Sequence, residues 1–208
     1  GKSLSGTMLI AAPVALGFAL ISNEFVTLLF GPKWTESIPI LSILCIGGIA
    51  YAFREIAANA LVITGNIRTT VMLSWANASV LILLFYPAYK LFNLTGIAWL
   101  IVISAFATAS AYALTLSKLN IASDKSLISG LLRPIASAAL MYFITNYIFH
   151  HIDYFNPAIN LGLKTITGAI IYILIITMLW LVAGKPNSSE AILIEEIRIK
   201  IKKIFRKN

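Results

Sequence analysis

Charge is scarce in this sequence. Of its 208 residues only 12% are Asp, Glu, Lys or Arg, against roughly a quarter in a soluble domain. Only eight are acidic, and they are scattered. Glu24, Glu36 and Asp153 fall at expected outer ends of apolar runs, Asp124 at an inner end, and three in the last twenty or so residues. That leaves Glu55 as the acid expected to be buried. No nucleophile–base pair or metal cluster emerges from such spacing, so an enzyme is not expected. His150-His151-x-Asp153 reads as a plain loop rather than a metal site. The single cysteine, Cys45, excludes an intrachain disulfide and sits in an apolar run, where it reads as packing. Period-2 alternation is missing too, which excludes a transmembrane barrel. Neither an initial Met nor a signal-peptide pattern precedes the first apolar run, so the chain is expected to be a C-terminal piece of something longer.

Apolar sequence fills the space. Hydrophobic residues make up 59% of the chain, and runs of about 20 recur along its length, the signature of a polytopic membrane protein. The expected fold class is all-α, because helices keep every backbone hydrogen bond within the segment. Six spans are expected near residues 7–30, 38–63, 69–89, 95–117, 127–149 and 161–183. Residues 1–184 would form one six-helix transmembrane lobe. The breaks carry turn chemistry: Gly31-Pro32, Gly65-Asn66, Asn93 to Gly96, Ser123-Asp124, Asn156-Pro157 and Gly184-Lys185-Pro186. All are short, and none could hold a soluble catalytic domain.

Basic residues set the orientation. Alternate connections carry Lys2, then Arg68, then Lys118, Lys125 and Arg133, then the tail from Lys185. The opposite side carries Lys33, Lys90 and Lys164. Both ends of the chain are therefore expected in the cytoplasm. Residues 185–208 are not a span. Ile194, Ile197, Ile201 and Ile204 repeat at helical spacing opposite Arg198, Lys202 and Lys203. With Lys200, Arg206 and Lys207 they suggest a basic amphipathic helix lying on anionic lipid headgroups. The plainer alternative is a solvated basic tail that only fixes topology, and residues 197–201 also alternate as a strand would. The positive-inside rule already accounts for the net charge of +8, so nucleic acid is not an expected partner.

Against this background the stretch AYAFREIAANALVITG, Ala50 to Gly65, stands out. Arg54 and Glu55 lie several residues inside the second span, where a charge near the bilayer centre costs on the order of 2.5–3.5 kcal/mol. Tyr51, Glu55 and Asn59 share one helical face and Arg54 lies beside it. One reading is a polar lining for the path of an anionic substrate. The other is an ion pair that locks neighbouring helices together. Arg133 is expected about two turns inside the fifth span, either against a headgroup phosphate or snorkelling to the interface. Thr70, Ser74 and Asn77 form a stripe in the third span, and Ser104, Thr108 and Thr115 one in the fourth, beside the small face of Ala105, Ala109 and Ala113. Helix packing explains most of these. Asn77 is singled out because an amide in mid-span needs partners.

The run APVALGFALISNEFVTLLFGPKWTESIPILSIL, Ala12 to Leu44, resembles the start of the C-terminal half of bacterial polysaccharide exporters. These are the O-antigen, colanic-acid and teichuronic-acid type flippases, within the superfamily of the multidrug and toxin extruders. The likeness rests on Pro13 early in a span, Leu-Leu-Phe-Gly-Pro-Lys-Trp at Leu28 to Trp34, Ala-Leu-Val-Ile-Thr-Gly-Asn at Ala60 to Asn66, and Arg133-Pro134 followed by Ala138 to Met141. It implies about twelve spans in two lobes around a central cavity, the first lobe being absent from this chain. It also implies alternating-access transport of a polyprenyl-pyrophosphate-linked oligosaccharide. Expected burial and charge, not a family motif, make Arg54 the residue to engage phosphate and Glu55 the one to orient it or answer a coupling cation. No cofactor is implied. The same superfamily also admits a drug or lipid-precursor exporter. A membrane-embedded glycosyltransferase is the alternative from another class.

Overall fold

The computed structural model describes residues 2–121, 124–150 and 156–182, and every regular element in them is helical. The basic tail of residues 185–208 lies outside the described residues, as do His151 and Asp153. Helix α1 spans Lys2–Leu29, and a 3-10 helix, Pro32–Ser37, leads into α2, Ile38–Ile63. Then follow α3, Ile67–Lys118, α4, Asp124–His150, and α5, Pro157–Val182. Among the described residues four helices carry stretches long and apolar enough to cross a membrane: α1, α2 with the 3-10 helix before it, α3 and α5. The chain is an all-helical, multi-pass membrane protein.

Local chemistry sets the ends of α2. Pro39 sits in its first turn, where a missing N–H costs nothing. Gly65 closes it with φ near 82°, a backbone region costly for residues with a Cβ. The Asn66 N–H then reaches the Leu61 carbonyl at 2.8 Å, a six-to-one closure that satisfies the final turn. The observed bounds of α2 are those expected from the sequence.

Where two spans were expected at 69–89 and 95–117, one helical element of 52 residues runs through both. Straight, it would reach about 78 Å, more than twice the thickness of a bilayer core. It is not straight. Phe92 and Asn93 leave helical geometry, Asn93 with φ of 53° and ψ of −145°. The two arms then lie antiparallel, as three side-chain contacts show. Tyr112 donates to the Thr70 carbonyl at 3.2 Å, its hydroxyl also lies 3.4 Å from Ser74 Oγ, and Thr108 meets Asn77 at 2.8 Å. Gly96 permits the tight apex: a Cβ there would sit 2.3 Å from the Ala88 carbonyl oxygen.

The core follows from this layering. α2 packs between α1 and α3, while α1 also contacts α4 and α5. Phe53, Ala57 and Leu61 of α2 are buried against Ala105, Ala109, Tyr112 and Leu116 in the second arm of α3. The expected small-residue face of that arm is therefore the one that meets α2. A second cluster joins Ala12 of α1, Ala138 and Met141 of α4, and Tyr172 of α5. The first arm of α3 contributes Leu73 to the core and exposes Met72, Trp75, Ile82, Leu83 and Tyr86.

Candidate functional site

Helix geometry decides what α2 presents. With Phe53, Ala57 and Leu61 turned inward at four-residue spacing, Glu55 and Asn59 must face outward, and both are exposed. Tyr51 and Arg54 are half-buried at the margin of that face. The Arg54 guanidinium carbon lies 4.8 Å from the centre of the Tyr51 ring, a cation–π arrangement that fixes the charge without neutralising it. Neither Arg54 nor Glu55 forms an ion pair among the described residues. A carboxylate and an amide exposed this far along an apolar helix are costly in hydrocarbon, which favours water or polar groups on their side of α2.

The other sequence candidates sit elsewhere. Asn77 links the two arms of α3. Thr108 Oγ1 is 2.8 Å from Asn77 Oδ1 and 2.6 Å from the Ser104 carbonyl. One hydroxyl proton cannot serve both acceptors, so the hydroxyl donates to Ser104, and the amide, turned over, donates its N–H to the hydroxyl. Arg133 is half-buried about two and a half turns after the start of α4, and its carbonyl accepts the Ser137 hydroxyl at 2.8 Å.

One expectation about the acids is overturned. Glu55 is exposed, and among the described residues the buried carboxylate is Glu24, whose residue is 6% exposed. Glu24 Oε1 accepts from Lys164 Nζ of α5 in an ion pair between helices, while Oε2 is buried without a hydrogen-bond partner among the described residues. Residue type and position near a span end made both groups look interfacial. Their burial depends on a partner 140 residues away, and no local signal carries that. Tyr172 was also missed. It donates to the Leu9 carbonyl at 2.8 Å. The sequence holds the signal, because Pro13 has no N–H for the carbonyl four residues earlier and a helix in lipid must find another donor.

Two characterised proteins resemble parts of the chain. The lipopolysaccharide biosynthesis protein WzxC of Escherichia coli (strain K12) is 46% identical over 48 residues, which is 23% of this chain and 10% of that protein. The teichuronic acid biosynthesis protein TuaB of Bacillus subtilis (strain 168) is 29% identical over 93 residues, 44% of this chain and 19% of that protein. The matched segments therefore span less than a fifth of either relative. No protein-family model matches the chain, and no solved structure does.

Proposed function

We propose that this chain is the C-terminal lobe of an exporter that flips a polyprenyl-pyrophosphate-linked oligosaccharide across the bacterial inner membrane, by alternating access. The partial likeness to two polysaccharide biosynthesis proteins supports the substrate class. The observation that carries the reading is the α2 face. Glu55 and Asn59 are exposed, with Arg54 beside them, on a helix apolar enough to span, and no ion-pair partner among the described residues explains them. In this reading the first lobe of the same protein lies opposite, and the space between is aqueous. Arg54 meets the pyrophosphate, and Glu55 orients it or exchanges a coupling cation. Six crossings follow if the two arms of α3 count separately and α4 crosses too. The basic tail then lies on anionic lipid of the inner leaflet, with both ends cytoplasmic.

The test uses single cysteines at Arg54, Glu55 and Asn59 in the full-length protein, with Cys45 replaced by Ala. A membrane-impermeant thiol reagent in cells should label positions 54 and 55, and accumulated lipid-linked substrate should block the labelling. Arg54→Gln should lower export at equal protein level. Preserved export with all three positions unlabelled would overturn the reading and return the face to a structural role.

A further inference from the structure

Amphipathic rings gather at one end of the bundle. Trp34 lies on the 3-10 helix between α1 and α2, Tyr89 about one turn before the apex of α3, and Tyr147 in the last turn of α4. α2 leads away from this end and the first arm of α3 returns to it. The ion pair between Glu24 and Lys164 sets the end of α1 beside the start of α5, and only a short connection, His150 to Pro157, joins α4 to α5. All three corners therefore share that end. Their rings are exposed, Trp34 by 57%, Tyr89 by 48% and Tyr147 by 72%. Length decides their level. α2 and the first arm of α3 are each about 39 Å long. A bilayer measures about 30 Å across its hydrocarbon and about 40–45 Å with its headgroups. Even at a tilt of about 20°, a centred crossing ends both elements in the headgroup layers, short of bulk water.

Chemistry selects the same level. Hydrocarbon offers an exposed indole N–H or phenol O–H no acceptor, and water gives the ring faces no apolar cover. The headgroup layer supplies both. Trp34 also ends a line of rings that begins in the spanning stretch of α1. Phe18 meets Phe25, Phe25 meets Phe30 and Phe30 meets Trp34, with centroids 5.6, 6.5 and 6.1 Å apart. Beside the rings Lys33 and Lys90 are exposed, and their stems can carry an ammonium outward to phosphate. We propose that Trp34, Tyr89 and Tyr147 form an aromatic girdle seated in the phospholipid headgroup layer at this end of the bundle, with Lys33 and Lys90 on lipid phosphates. In the orientation expected from the basic residues this is the outer leaflet. The girdle also fixes the depth of the α2 face: Arg54 lies about 24 Å along the helix from Ile38, just past the midplane. It holds whatever the protein exports.

The test uses the full-length protein, freed of other cysteines, in vesicles of phosphatidylethanolamine and phosphatidylglycerol. A nitroxide label sits on a single cysteine replacing Trp34, Tyr89, Tyr147 or Ile82. Ile82, exposed and about 15 Å along the arm from Phe92, marks the hydrocarbon. Collisions with oxygen, which concentrates in hydrocarbon, and with a neutral nickel chelate, which stays in water, give each label's depth. The labels at 34, 89 and 147 should lie within about 5 Å of the lipid phosphates, and the label at 82 about 10 Å deeper. A variant keeping Trp34 as its sole tryptophan repeats the reading with the ring in place. Its fluorescence should be quenched best by lipids brominated nearest the headgroup, and if that variant fails to fold the labels carry the test. A label in bulk water at any of the three corners, or depths scattered more widely, overturns the girdle. So does a Trp34 shielded by lipid-linked oligosaccharide and not by phospholipid, which makes that corner a sugar platform.

Discussion

At the scale of single residues, two side chains far apart in sequence set how α1 is held. Pro13 leaves the Leu9 carbonyl without its helical donor, and Tyr172 supplies one from α5. Tyr172→Phe keeps the ring packed against Ala12 and Met141 and removes the hydroxyl that donates to Leu9. The expected cost is about 0.5–2 kcal/mol, the range for single interhelical hydrogen bonds within membranes. It should appear as a lowered thermal unfolding midpoint in detergent, and no change would mean that the carbonyl finds another donor. Glu24 and Lys164 show the converse limit of sequence reading. Each is a charge near a helix end, and nothing beside either marks it as one half of a buried pair. Arg54, Glu55 and Asn59 were legible as a polar face because helical periodicity alone places them together. Which side of that face met the core was not, because it depends on where α3 packs.

Individual elements divide in the same way. The bounds of α2 were readable since Pro39 and Gly65-Asn66 mark its ends with backbone chemistry that is local. The apex of α3 was half readable. Asn93 to Gly96 signalled a break, yet helical hydrogen bonding resumes at once on either side of Phe92 and Asn93, which yields a hairpin with almost no loop. The apex depends on two positions. Gly96→Val would drive a side chain into the Ala88 carbonyl, and only separation of the arms relieves that clash. The expected result is loss of the Tyr112–Thr70 and Thr108–Asn77 contacts, measured as weaker disulfide cross-linking between cysteines placed at Asn77 and Thr108, whose side chains meet at 2.8 Å. Asn93→Gly should do the opposite, because its positive φ costs glycine nothing. Unchanged cross-linking in Gly96→Val would mean that the apex is looser than described.

For the whole molecule, the burial pattern follows the membrane more than a conventional core. Large apolar side chains are exposed along the first arm of α3 and along α5, as they are where lipid is the solvent. The expected orientation can be checked at two exposed sites at opposite ends of the bundle. Thr35 lies on the 3-10 helix between α1 and α2, and Asn120 follows α3. A cysteine at Thr35 should react with an impermeant reagent in cells whose outer barrier has been opened. A cysteine at Asn120 should react only after the inner membrane is permeabilised. The reverse pattern would invert the chain and move the basic tail to the outside.

The near-absence of a loop at Phe92 and Asn93 also bears on how such a protein is charted. Reporter fusions and epitope insertions rely on connections that tolerate foreign sequence. A turn in which the carbonyl of Ala88 occupies the space beside Gly96 offers no such slack. Inserting a tag there should collapse the hairpin rather than report its side of the membrane. A chart drawn from tolerated insertions would thus record the two arms as one crossing and misassign the sidedness of everything downstream.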